Sequence, residues 1–171
     1  MTSPTVRVSA AGFLLAAAVA CTSNAEPDPP ATSPPVSTAQ PSPSPSAGNG
    51  AIAAYEGMWD AVVDASRDAS SDHPELDKYA TGDAAALMRQ GMESVESSHV
   101  GKPSHDLTVK SAKPNANPSR VELRDCQDGS EWRPKGDPPS DQKDIRVDAT
   151  VVKDALSWKV SALRIWGPGT C

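Results

Sequence analysis

Ile145-Arg146-Val147-Asp148-Ala149-Thr150-Val151 alternates apolar and polar residues without interruption, the period of a strand with one face buried. The same period flanks it on both sides. Upstream, Leu107 with Val109 and Val121 with Leu123 recur at every second residue, and downstream Trp158 and Val160 do so. Four strands are predicted. Lys113-Pro114-Asn115-Ala116-Asn117-Pro118 supplies turn residues between the first two, and Asp128-Gly129 followed by Pro134 to Asp141 supplies a longer excursion before the third, connections that suit antiparallel neighbours. In the last strand Leu163 and Ile165 have the parity opposite to Trp158, Val160 and Ala162. A β-bulge near Ala162 is expected to return both to the core.

Before residue 100 the period is helical. Ile52, Tyr55, Trp59, Val62 and Val63 form one stripe between Ala51 and Ala69, with Glu56, Asp60 and Asp64 on another side as a solvated face. His73-Pro74-Glu75-Leu76-Asp77-Lys78-Tyr79 reads as a short helix, ended by Thr81-Gly82. Asp83 opens a third, in which Ala84, Leu87, Met88, Gly91 and Val95 share a face. A glycine in mid-helix costs about 1 kcal/mol, so Gly91 is expected to mark a close helix approach or an early break. Helices followed by a curved four-stranded antiparallel sheet make an α+β domain over residues 51–171, with the helices packed on one face.

Residues 22–50 are almost wholly Pro, Ser, Thr, Ala and Gly, without an aromatic residue. So little apolar surface cannot offset the entropy of ordering the backbone, and the segment is read as a disordered tether, reaching about 90 Å when extended and about 30 Å as a coil. The mixture of Ser, Thr and Pro suits O-glycosylation, and an unmodified linker is the plainer reading. Ahead of it, Arg7 precedes an apolar run from Ala10 to Ala20, too short to cross a hydrocarbon core of about 30 Å but suited to the core of a signal peptide over residues 1–20. Ala18-Val19-Ala20-Cys21 resembles a bacterial lipobox, which implies diacylglycerol on the Cys21 thiol, cleavage before it, and anchoring by acyl chains, palmitate among them. The same three residues satisfy the ordinary signal-peptidase rule, which would release a soluble secreted protein from the same bond.

The formal net charge is −6. Only Arg7, Glu26 and Asp28 of the charged residues precede residue 51, so the domain itself is acidic. No basic run or basic helical face is present, which argues against nucleic acid as a partner and against contact of the folded surface with anionic lipid. If lipid consumes Cys21, then Cys126 and Cys171 are left as an even pair, and in an exported chain they are expected to form a disulfide. Neither has a second thiol or a histidine at the spacing of a zinc motif.

Tyr79-Ala80-Thr81-Gly82-Asp83-Ala84, Val121-Glu122-Leu123-Arg124-Asp125-Cys126-Gln127-Asp128, Trp158-Lys159-Val160 and Gly169-Thr170-Cys171 together, in their order and spacing, resemble the small secreted lipoproteins of actinobacteria whose domain belongs to the NTF2-like, cone-shaped superfamily. The resemblance implies a fold and a location. It implies no reaction, because the superfamily holds isomerases, dehydratases, hydrolases and binding modules. Ala155-Leu156-Ser157 departs from it, standing where a glycine in a tight turn is usual, so a looser last hairpin is expected.

A catalyst in such a fold needs a polar group inside the cone. Glu122, Asp106 and Asp148 have the parity of the solvent face, and Asp125 and Asp128 read as turn residues, too few for calcium. His105 shares the face of Leu107 and Val109 and is the polar candidate; a lone histidine at a strand end is more commonly structural. Tyr55, Trp59, His105 and Trp158 are the candidate lining of an apolar pocket, with core packing as the alternative. No motif for a nucleophile, a metal or a phosphate supports a catalytic assignment, and neither a metal nor a cofactor is expected. The functional expectation is a non-enzymatic, lipid-anchored protein at the outer face of the cytoplasmic membrane, binding a small ligand or an envelope protein. A small hydrolase or isomerase using the cone cavity and a scaffold without a pocket are the alternatives.

Overall fold

The computed structural model describes residues 45–171. The expected signal peptide, Cys21 and the tether as far as residue 44 lie outside the described residues. Helix α1 (Pro45–Arg67) starts six residues before Ala51, so the last part of the expected tether is helical. Proline is tolerated in a first helical turn, where its missing N–H would have no partner. The small residues after it let the helix settle on the sheet: a Cβ at Gly48 would stand 3.5 Å from Val109 Cγ2, and one at Gly50 would stand 2.5 Å from Trp158 Cδ1. Tertiary contact thus orders a segment whose composition alone argues for disorder.

The predicted stripe of α1 is buried at Tyr55, Trp59, Val62 and Val63, with Ile52 half-buried, and Met58, Ala51, Ala54 and Ala65 extend it. Glu56, Asp60 and Asp64 are exposed, as a solvated face requires. Helix α2 (Leu76–Tyr79) buries Leu76. Helix α3 (Gly82–Glu93) buries Ala84, Ala85, Met88 and Met92. Gly91 departs from expectation: it is exposed, a Cβ there would meet nothing within 4 Å, and the helix continues to Glu93. The close approach occurs instead at Gly57, where a Cβ would stand 2.6 Å from the Tyr79 ring.

Four long strands form one open antiparallel sheet. These are β2 (Ser104–Lys113), β3 (Arg120–Asp128), β5 (Ile145–Asp154) and β6 (Ser157–Pro168), hydrogen-bonded in that order. A two-stranded sheet of β1 (His99–Val100) and β4 (Arg133–Pro134) was not predicted, since two residues are too few to display a period. Helices pack against the four-stranded sheet, and Ala80 joins it through a parallel bridge to Val160, with Thr81 N–H donating to Val160 O at 2.8 Å.

The predicted bulge is present: Thr150 pairs with Ala162 while Val151 pairs with Val160, which leaves Ser161 extra on β6. The change of phase packs Leu163 against the core, whereas Ile165 stays 43% exposed. The last hairpin is tight rather than loose. Asp154 pairs with Ser157 across a two-residue turn in which Ala155 takes φ 51°, a left-handed conformation that costs a residue with a Cβ about 1–2 kcal/mol.

Candidate site at the end of the sheet

The inner face of β3 carries Val121, Leu123, Asp125 and Gln127, all buried. The third of these changes the chemistry of the domain. Asp125 has a fully buried side chain, and its carboxylate is engaged from three directions: Tyr55 O–H donates to Oδ2 at 2.9 Å, His105 Nδ1 lies 2.7 Å from Oδ2, and Asp106 N–H donates to Oδ1 at 2.9 Å. The register of β2 on β3 builds this, because Leu107 pairs with Asp125 and His105 with Gln127. Burial first, and then the charge of Asp125, push the Tyr55 hydroxyl above the ordinary phenol range, so it stays protonated and donates. With a phenol and a backbone amide both donating to it, Asp125 is an acceptor, and the matching tautomer of His105 carries its proton on Nδ1.

His105 packs edge-on to Tyr55 with ring centroids 5.7 Å apart, and tilted on Trp59 at 6.0 Å. Trp59 in turn meets the edge of Trp132 at 6.1 Å. Trp132 is held by its indole N–H, which donates to Ser66 Oγ at 3.0 Å, and Ser66 donates on to Val63 O at 2.7 Å.

Two clefts adjoin Trp59. The larger, about 450 Å³, lies between α1 and α3 and is walled chiefly by Trp59, Val62, Met88, Met92, Trp132 and Ile165. The smaller, about 250 Å³, is bounded by Glu56, Trp59, Asp60, Lys102, Pro103 and His105. Beneath them Tyr55, Met58, Leu76, Met92 and Leu123 are among the fully buried side chains.

Of the four residues predicted to line a pocket, the structure brings Tyr55, Trp59 and His105 together. Tyr55 stands behind His105 in the core, Trp59 borders both clefts and His105 the smaller one. Trp158 lies apart, over Gly50 at the start of α1. Asp106 is exposed, Glu122 accepts from Thr150 Oγ1 at 2.9 Å, and Asp148 faces outward among arginines. Partial burial works to raise the Asp148 carboxyl, but hydrogen bonds from Arg124 and Trp166 and the charges of Arg124 and Arg146 hold it below the usual carboxylate range. Asp128, expected in a turn, is instead the last residue of β3, paired with Ser104, and its carboxylate accepts from Ser130 N–H at 2.8 Å as the chain leaves the strand.

Asp125 is not a turn residue. Its parity with Val121 and Leu123 is visible in the sequence and places it inward; the strand was expected to end too early. Trp132 had no signal, since it belongs to no periodic segment. Cys126 and Cys171 stand with their sulfurs at bonding distance and their Cα atoms 5.8 Å apart. Among the described residues no group of three or more His, Cys, Asp and Glu side chains is placed to hold a metal, and no helix is long and apolar enough to cross a membrane. No family model matches the chain, and no curated protein or solved structure matches it either.

Proposed function

We propose that this protein is an exported lipoprotein with an NTF2-like domain, anchored through Cys21 at the outer face of the cytoplasmic membrane, which binds a small apolar ligand in the cleft between α1 and α3. The observation that carries the reading is the cleft itself. Its volume of about 450 Å³ falls within the range of about 300–1,000 Å³ common to small-molecule sites, and two indoles and two methionines make its walls. Ile165, half-exposed, stands at its edge, where an apolar ligand would cover it. Concavity favours a small molecule over a protein surface, and the acidic domain argues against nucleic acid.

Gly91 allows a direct test, because it lines the cleft and has open space beyond it. Gly91→Phe is expected to fill the cleft and to weaken binding of the apolar dye Nile red at least tenfold. Thermal stability should not fall, since phenylalanine is a better helix former than glycine by a few tenths of a kcal/mol. Equal dye binding by the two proteins, or none by the wild type, rejects the ligand site. The anchor is tested separately by intact-mass measurement on the membrane fraction. The expected species begins at Cys21 and carries the added lipid mass; a mature chain without that mass excludes the anchor.

A further inference from the structure

The apolar cleft makes no use of the His105 and Asp125 pair, whose geometry is that of a base. We propose that His105, oriented by Asp125, activates water for the hydrolysis of small neutral or cationic esters in the smaller cleft. One of the other histidines provides the contrast. His73 uses both ring nitrogens within the protein, Nε2 lying 3.1 Å from Asp64 Oδ2 and Nδ1 accepting from Glu75 N–H at 3.2 Å. That is how a structural histidine is satisfied. In His105, Nδ1 is bound to Asp125 while the ring borders the cleft with 17% of its side-chain surface exposed. A proton on Nδ1 leaves the lone pair on Nε2, the atom available to whatever enters.

Asp125 is itself held by Tyr55 and the Asp106 amide, so neither the carboxylate nor the ring is free to turn. Such fixed orientation, with a buried charge to stabilise the imidazolium, is what a general base requires. Asp125 and Tyr55 are positioning residues here; His105 is the catalytic one. No Ser, Thr or Cys lines the cleft, so water is the nucleophile. Its oxygen bonds to the ester carbonyl carbon while Nε2 takes one of its protons, and the carbonyl π pair moves onto oxygen, with the Lys102 ammonium as the positive charge of the cleft. When that pair re-forms the double bond, the carbon–oxygen bond to the alcohol breaks and the departing oxygen takes the proton from His105. Ester and water become acid and alcohol. Glu56 and Asp60 at the same cleft repel anionic substrates, and its size of about 250 Å³ restricts the ester to a small one.

The test measures p-nitrophenol release from p-nitrophenyl acetate by the full-length protein. His105→Asn retains an amide donor for Asp125 and loses the base; it is expected to lower kcat/KM at least about a hundredfold, the lower end of the range of about 10²–10⁴ that general bases contribute, with an unchanged circular dichroism spectrum. His73→Asn is expected to match the wild type. Asp125→Asn should lower kcat with little change in KM, a split that a purely structural role would not produce. The wild-type rate should fall in D₂O. Equal rates for the wild type and His105→Asn, or no release by the wild type above the uncatalysed rate, overturn the proposal.

Discussion

Asp125→Ala is expected to lower the free energy of unfolding by about 3–5 kcal/mol, because it removes the acceptor from a buried, charged hydrogen-bond network. Asp125 has no exposed surface, and its loss leaves Tyr55 O–H and Asp106 N–H without their partner. Tyr55 cannot turn away: it is fully buried and packed between Trp59 and His105. His105, partly exposed, can recover a bond to water, so most of the cost falls on the phenol and the amide. Asp125→Asn keeps one acceptor oxygen and should cost less than the alanine variant. Tyr55→Phe combined with Asp125→Ala should cost less than the sum of the two singles, since each single change already breaks the shared bond. Urea denaturation of the wild type and the four variants measures this. An Asp125→Ala loss below 1 kcal/mol, or strict additivity, would show that the network contributes little.

Reduction of the disulfide is the second large effect. Cys126 and Cys171 are 45 residues apart in sequence, and a loop of that length is worth about 4 kcal/mol in the chain-entropy description. Domains of this size are stable by only about 5–15 kcal/mol, so the bridge accounts for a large share. Beyond its pairing with β5, the end of β6 is held by Gly169 N–H donating to Asp144 O at 2.8 Å, Arg146 N–H to Thr170 Oγ1 at 3.0 Å and the Trp166 indole N–H to Asp148 Oδ2 at 2.9 Å. On the outer side of the strand Arg146 and Arg164 stack on Trp166. Cys171→Ser is therefore expected to lower the urea midpoint by the equivalent of about 4 kcal/mol. Amide exchange should accelerate first in residues 165–170, before the centre of the sheet is affected. An unchanged midpoint in the variant, or exchange that accelerates uniformly, would contradict this role.

The strands were legible because each displays its period over enough residues to be counted. Ile145 to Val151 alone states which side chains face inward, and even the re-phasing at Ser161 follows from the conflict of parity between Val160 and Leu163. Elements without a period were not legible. The two-residue strands and Trp132 carry no repeat, and the start of α1 at Pro45 depends on Trp158 and Val109 being there to receive Gly50 and Gly48. The site was half legible. His105, Tyr55 and Trp59 were found from their faces, and the face of Asp125 was equally available, but its place beside Cys126 and Asp128 suggested a turn.

What the sequence determined by itself is therefore the run of helices and the four long strands, with most of their inward and outward faces, since these follow from local period. Tertiary structure decided which inward residues meet. Tyr55 and Asp125 are 70 positions apart, and His105 and Asp125 are 20 apart; their contact depends on the register of β2 on β3 and on the seating of α1 across the sheet. Register follows from the hydrophobic patterns of both strands taken together with the turn that joins them. No single segment's spacing encodes it, so the buried carboxylate behind His105 and the clefts on either side of Trp59 become visible only when the layers are assembled.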